Sequence, residues 1–137
     1  LSALNGGLMI TTSRRTGAQN ETILKESLQG RAHYFWDSAP PNPYFALLAW
    51  ADYILVTADS TSMLSEAAST AKPVYSLALP GGNKRSLALH RNLSASGAVR
   101  PFTGALESWT YTPLNEAEKI ATEIRKRMAA RAGLKEF

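Results

Sequence analysis

The chain has 137 residues, 45% of them hydrophobic and 19% charged, which suits one globular domain with a sizeable core. Its net charge of +4 favours anionic partners, but the basic residues are scattered and match no nucleic-acid-binding motif. No apolar run approaches the roughly 20 residues of a membrane span, and the chain has no cysteine for disulfides or thiolate chemistry. We therefore expect a cytoplasmic protein that has no membrane span and does not bind nucleic acid.

Short apolar runs alternate with helical segments along the whole chain. The predicted strands lie at residues 8–12, 33–36, 53–56, 73–79 and 98–102. The predicted helices lie at about residues 19–28, 44–51, 61–71, 86–95 and 115–132. Because this alternation builds parallel sheets, we predict a Rossmann-like, doubly wound α/β fold. Its mainly parallel sheet would have about four to five strands, with helices on both faces. Pro101 places the last strand at an edge.

The predicted helices carry apolar stripes that are expected to pack on the sheet. Outside the central helix, the stripe residues are Ile23, Leu24 and Leu28, then Phe45, Leu48 and Ala49, then Ala117, Ile120, Ala121, Ile124 and Met128. The aromatic residues at 33–36 likewise favour a buried strand. The last helix begins at Asn115 and Glu118, which have the spacing of a capping box.

The chain does not begin with methionine, and its first residues resemble a linker. We therefore expect residues 1–137 to form a single Rossmann-like domain of a longer, two-domain protein, with residues 1–6 as a linker tail.

The central stretch, residues 53–75, is a strand, a helix and the start of the next strand. The predicted core side of its helix consists of Ser60, Met63, Leu64, Ala67, Ala68 and Ala71. Asp59, Ser62 and Glu66 share another face, beside the carboxyl end of a strand. Open parallel sheets bind ligands at that place, and a helix N-terminus attracts phosphate. The alternative is that Asp59 or Ser60 only caps the helix and Glu66 is a solvated carboxylate.

A second polar loop follows the first predicted strand. Ser13, Arg14, Arg15 and Thr16 offer hydroxyls, guanidinium groups and backbone N–H groups, a combination that suits a phosphate. If the first and third strands are near neighbours, both polar loops face one crevice. The alternative is a solvated turn.

Other chemistry has weaker support in the sequence. The chain has no Walker loop, no dinucleotide-binding glycine turn and no metal-ligand cluster. His33 is expected to have a structural partner in its strand. His90 follows the glycine-rich residues 80–83, so lining the crevice is an open alternative for it.

Three stretches of the chain resemble the mitochondrial-fission-protein-like family, a bacterial and plant family formerly treated as a domain of unknown function. They are Thr11–Thr16, then Trp36–Asp37 with Asn42–Tyr44 and Leu48–Asp52, then Ala58–Ala67 with Thr70–Tyr75. The third corresponds to the family pattern T-A-D-S-x-S-M-x-S-E-A-x-x-T-G-K-P-V, from which the chain departs at Ala71, where the family usually has glycine.

The resemblance implies the donor-binding, C-terminal domain of a GT-B glycosyltransferase or nucleotide-sugar epimerase. The expected ligand is a nucleotide-sugar or nucleoside diphosphate, with no cofactor and no metal. An N-terminal domain would supply the acceptor site and the catalytic base, so no catalytic residue is predicted here and the isolated domain is expected to be inactive. Peripheral membrane association of a full-length protein stays open.

The resemblance also implies residue roles. The expected diphosphate-binding residues are Ser13, Arg14, Arg15, Thr16, Ser60, Thr61 and Ser62. The expected ribose- or nucleotide-binding residues are Asp59, Met63, Glu66, Trp36 and Asp37. The alternative is a non-catalytic adaptor or regulatory protein of the same family that uses this fold to bind other proteins.

Overall fold

A computed structural model describes residues 6–80 and 84–133. Within these residues, strands and helices alternate along the chain as predicted. The strands are β1 (Leu8–Ile10), β2 (His33–Phe35), β3 (Ile54–Thr57), β4 (Val74–Leu77) and β5 (Val99–Pro101). The helices are α1 (Ala18–Ser27), α2 (Tyr44–Trp50), α3 (Thr61–Ala68), α4 (Lys84–Ala95) and α5 (Glu116–Gly133).

Every described strand pair is parallel, which confirms the prediction of a Rossmann-like, mainly parallel α/β fold. The single sheet of four to five strands is wrong for the described residues, because the five strands divide over two sheets. β1 pairs with β2, and β3, β4 and β5 form a second sheet in that order. In the larger sheet Val74 of β4 lies between Ile54 and Val99. β5 is at the edge of this sheet, as Pro101 predicts, because proline cannot donate to a further strand.

The hydrophobic core lies between α3, α4 and the three-stranded sheet. Leu64, Ala67 and Ala68 of α3 are fully buried, at 0% exposure. Two adjacent alanines remove side-chain bulk from this face, so α3 lies close to β3 and β4 and Leu64 fills the space beside them. The predicted core side of α3 is thus confirmed for Ser60, Leu64 and the two alanines, and Met63 packs against the core while half-buried.

Ala71 was expected on this core side, but it is exposed. The reason is that α3 ends at Ala68, and Ala71 lies in the turn before Pro73 with φ 62°. The left-handed conformation strains a residue with a Cβ, which explains why glycine suits this position. Lys72 secures the turn from outside, since its Nζ donates to the carbonyl oxygens of Leu48, at 2.9 Å, and of Ala49.

We predict that Ala71→Gly raises the free energy of unfolding by about 1 kcal/mol, because it relieves the left-handed strain at this turn. Chemical denaturation monitored by circular dichroism would measure the change. Ala49→Gly in α2 is the matched control, and it should lower stability by about 0.5–1 kcal/mol because its helical backbone needs no such relief. A loss of stability in Ala71→Gly would contradict the prediction.

Several predicted buried faces are wrong. In α1, Leu28 just beyond the helix is buried, but Ile23 and Leu24 are exposed, because the two-stranded sheet of β1 and β2 offers little surface to cover them. β2 is an edge strand, so Tyr34 is 49% exposed instead of buried.

The same holds for α2 and α5. Leu48 packs against the core as predicted, whereas Phe45 is exposed and so is Ala49. Half of the predicted capping box of α5 is present, since the backbone N–H of Glu118 donates to Asn115 Oδ1 at 3.3 Å. The Glu118 carboxylate accepts from the side-chain amide of Asn115 instead of from its backbone N–H. The apolar stripe of α5 is exposed at Ile120, Ile124 and Met128, because α5 lies outside the packed core.

Residues 1–5, 81–83 and 134–137 lie outside the described residues. The expected linker tail at 1–6 and the glycine-rich residues within 80–83 therefore stay predictions. None of the described helices is both long and apolar enough to cross a membrane.

Candidate functional site

The first polar loop, residues 13–16, turns back on itself directly after β1. The backbone N–H of Thr16 donates to the carbonyl oxygen of Ser13 at 2.9 Å, and the backbone N–H of Ser13 donates to Thr16 Oγ1 at 3.2 Å. These bonds use the Ser13 N–H and engage the Thr16 hydroxyl. Arg14, Arg15 and Ser13 are exposed, so two guanidinium groups and one hydroxyl of this loop can reach an anion. The Thr16 hydroxyl accepts from the Ser13 N–H and can still donate its own proton.

The second polar loop, residues 58–60, joins β3 to α3. Ser60 occupies the N-cap position of α3 and is 8% exposed, but its side chain does not cap the helix. The prediction that Asp59 or Ser60 serves as a side-chain cap is therefore wrong for Ser60, and no described side chain caps α3. N–H groups of the first turn, at Thr61 and Ser62, are left without a side-chain acceptor, and such groups favour an anion.

The two loops touch through Arg15 and Asp59. Arg15 Nη1 lies 3.5 Å from the carbonyl oxygen of Asp59 and 3.7 Å from its Oδ2. The side chains are 64% and 42% exposed. An ion pair this exposed contributes about 0–1 kcal/mol. The contact joins the loop after β1 to the loop after β3, although these two strands belong to different sheets.

His90 of α4 reaches the same place. Its Nε2 lies 2.6 Å from the carbonyl oxygen of Ala58, so this nitrogen carries the proton and donates. His90 thus lies beside the loop at 58–60, and the alternative in which it lines a ligand crevice stays a prediction. His33, in contrast, bonds locally, with Nδ1 2.9 Å from the carbonyl oxygen of Arg31.

Glu66 lies on the exposed side of α3, five residues after its first residue Thr61, and faces Tyr44 at the beginning of α2. The Tyr44 hydroxyl oxygen is shielded from solvent, yet no described group meets the distance and angle of a hydrogen bond to it. Burial raises the pKa of Tyr44 above its ordinary value, and the nearby Glu66 carboxylate raises it further. Tyr44 therefore stays protonated beside a carboxylate.

Sequence reasoning did not assign Tyr44 to the site. The signal was present, since Asn42, Pro43 and Tyr44 are among the stretches that resemble the family. The missing information was distance, because a separation of 22 positions gives no indication that Tyr44 and Glu66 meet.

Trp36 and Asp37 are bonded within their own loop. Trp36 Nε1 donates to the carbonyl oxygen of Ala39 at 2.8 Å, and the backbone N–H of Ala39 donates to Asp37 Oδ1 at 2.9 Å. These bonds fix the loop after β2. A role for Trp36 and Asp37 in binding a nucleobase stays a prediction, as do the ligand roles of the other predicted residues. Among the described residues, no three histidine or carboxylate side chains are grouped closely enough to hold a metal ion.

With this geometry in place, comparison with known proteins identifies the family. The family model described as "Mitochondrial fission ELM1" matches residues 1–128. The chain belongs to this family. It is 42% identical over 130 residues to the Mitochondrial fission protein ELM1 of Arabidopsis thaliana, a match that covers 92% of the chain and 30% of that relative.

A second relative is an uncharacterized protein of Rickettsia prowazekii, 38% identical over 124 residues, which are 85% of the chain and 35% of the relative. The chain thus spans about a third of the length of the curated relatives it matches. No solved structure matches it significantly.

We predict that Tyr44→Phe leaves the free energy of unfolding at neutral pH unchanged or raises it by up to about 1 kcal/mol, because no described group hydrogen-bonds to the buried hydroxyl. At alkaline pH the stability advantage of Tyr44→Phe over the unchanged chain should grow. A pKa raised above the ordinary 10.0 means that unfolding releases the phenolic proton above pH 10, so stability falls as pH rises through that range. In Tyr44→Phe the free energy of unfolding should decrease less over this pH range, because the phenolic group is absent.

Urea denaturation between pH 7 and pH 11 would measure both effects. Tyr34→Phe is the control. Tyr34 is 49% exposed, so its hydroxyl meets water in both the folded and the unfolded chain, and removing it should change the free energy of unfolding little. A loss of more than about 1 kcal/mol at neutral pH in Tyr44→Phe would mean that the hydroxyl is hydrogen-bonded after all.

Proposed function

We propose that this domain binds the nucleoside diphosphate part of a nucleotide-sugar, as the donor-binding domain of a GT-B-like glycosyltransferase or nucleotide-sugar epimerase. The observation that carries the proposal is the contact of Arg15 with Asp59, which brings two anion-suited loops together at the carboxyl ends of parallel strands. In open α/β sheets this is the place where ligands bind.

The diphosphate would lie between the two loops. Arg14 and Arg15 would bind its oxygens, together with the Ser13 and Thr16 hydroxyls, and the first turn of α3 would supply the N–H groups of Thr61 and Ser62. Ser60 would contribute its hydroxyl, because its N–H donates to the carbonyl oxygen of Thr57 at 3.0 Å. Arg15 contacts Asp59 through an exposed ion pair and a long hydrogen bond to its carbonyl oxygen, at 3.5 Å. A diphosphate can displace the carboxylate from this exposed pair at a cost of about 1 kcal/mol.

The ribose would lie along the exposed face of α3. Glu66 is exposed there, and a carboxylate accepts two hydrogen bonds from vicinal hydroxyls. Asp59 and Met63 would flank the ribose, and Trp36 and Asp37 would contact the base. No metal or other cofactor is part of this proposal, because guanidinium groups and a helix N-terminus can offset the charge of the diphosphate.

Turnover would need more than this domain. The family relatives are about three times as long as the part that matches. We propose that the acceptor site and the catalytic base lie in the remaining part of such a longer protein. A half-cleft can bind a donor, but it neither excludes water nor positions an acceptor.

A second candidate is a protein-binding adaptor of the same family. It is favoured by the exposed aromatic residues of α2, Phe45 at 73% and Trp50 at 82%. The Arabidopsis thaliana relative is named as a mitochondrial fission protein, and that name states no enzymatic activity. An adaptor, however, has no need for the contact of Arg15 with Asp59 beside an uncapped helix N-terminus.

The test separates phosphate binding from ribose binding by calorimetric titration with a panel of nucleoside diphosphates and with inorganic pyrophosphate. We expect micromolar to millimolar affinity for one nucleoside diphosphate. Arg15→Ala should lower the affinity for the nucleoside diphosphate and for pyrophosphate about 10-fold, since it removes a charged contact to phosphate. Glu66→Gln should lower the affinity for the nucleoside diphosphate about 10-fold and leave the affinity for pyrophosphate unchanged.

Two variants on α5 serve as matched controls, Arg125→Ala and Glu118→Gln, because that helix carries none of the proposed ligand groups. They should leave both affinities unchanged. If no nucleotide binds to this chain or to a full-length relative, the donor-binding proposal fails and the adaptor is favoured.

A further inference from the structure

The apolar stripe of α5 has no cover in this structure. Ile120, Ile124 and Met128 succeed one another every four residues, so they lie on one side of the helix, and all are more than half exposed. A helix of 18 residues gains little stability from propensity alone and normally buries its apolar side. We call Ile120, Ile124 and Met128 the α5 stripe. An exposed stripe of this kind is typical of a helix that packs against a partner surface.

The surroundings of the α5 stripe suit another helix. A shallow open depression along it is lined by Lys119, Ile120, Glu123, Ile124 and Arg127. Ion pairs within the helix, Lys119 with Glu116 at 2.9 Å and Arg127 with Glu123 at 2.7 Å, hold the flanking charged side chains to one side. The small Ala117 and Ala121 next to the stripe allow a second helix to approach closely.

Charge indicates which helix fits. The first part of α5, residues 116–123, has three glutamates and one lysine, a net charge of −2. The second part, residues 124–133, has three arginines, one lysine and no acidic residue, a net charge of +4. This order also favours the helix through its dipole, but it has a second consequence, since an antiparallel copy of α5 would place each acidic part against a basic part.

We propose that α5 is a self-association surface, through which two copies of this chain pair with their α5 helices antiparallel. Ile124 then lies at the centre of the pair, opposite Ile124 of the other copy. Ile120 lies level with Met128 of the other copy, and Glu123 lies level with its Arg125. A parallel pair would instead bring two segments of +4 together and is disfavoured.

The first test is the oligomeric state of the 137-residue chain by analytical ultracentrifugation over a range of concentrations. A pair of single helices buries less than a standard interface of about 1,600 Å², so we expect a dissociation constant on the order of 10–100 µM. Ile124→Glu should weaken dimerisation at least 10-fold, because it places two carboxylates face to face at the centre.

The matched control is Ile23→Glu in α1. Ile23 and Ile124 are 52% and 51% exposed, so the two substitutions add the same charge at equally accessible positions. Ile23→Glu should leave the dissociation constant unchanged. A chain that stays monomeric up to about 1 mM overturns the proposal, as does a dimer that Ile23→Glu breaks and Ile124→Glu does not.

The second test determines whether the two α5 helices are antiparallel or parallel. Because the chain has no cysteine, an introduced cysteine is the only thiol in each copy. Ile124→Cys alone should form a disulfide-linked dimer under mild oxidation. Ile120→Cys mixed with Met128→Cys, one of them carrying a longer tag, should form the mixed dimer at several-fold higher yield than either self-linked dimer. A preference for self-linked Ile120→Cys dimers would mean a parallel pair and would overturn the antiparallel arrangement.

Discussion

The contact of α3 with the three-stranded sheet is the constraint on which the rest of the structure depends. Ala67 and Ala68 are completely buried, so the helix axis lies close to β3 and β4, and Leu64 fills the space that remains. This packing fixes where α3 begins. Because its first turn lies at the carboxyl end of β3, this packing also places the helix N-terminus, Asp59 and Glu66 relative to the sheet.

Around that core, packing becomes sparse. β1 and β2 form a separate two-stranded sheet. Ile23 and Leu24 of α1 and Tyr34 of β2 stay exposed. The contact between Arg15 and Asp59 is polar and exposed. A link of that kind adds little stability and moves at little cost, so the width of the proposed crevice can adapt to a ligand. The rigid side of the site is thus α3 and the adaptable side is the loop after β1.

Local chemistry made part of the candidate site predictable. Asp59, Ser62 and Glu66 share a helix face because helical spacing dictates it, and the loop at 13–16 follows a strand whose apolar run is evident. Tyr44 beside Glu66 and His90 on the Ala58 carbonyl were beyond such reasoning. Each lies on another helix, and which helix approaches α3 is settled by the packing of side chains that are far apart in the chain.

The sequence by itself determined the order of strands and helices, the parallel α/β class and the edge position of β5, since periodicity, turn residues and Pro101 act locally. It also determined that α1, α2, α3 and α5 have apolar stripes. Only the tertiary structure decided which stripe is covered. The three-stranded sheet has room for α3 and α4, while Ile23, Phe45 and Ile124 stay exposed. Amphipathicity is a property of one helix, whereas burial depends on the area that its neighbours offer.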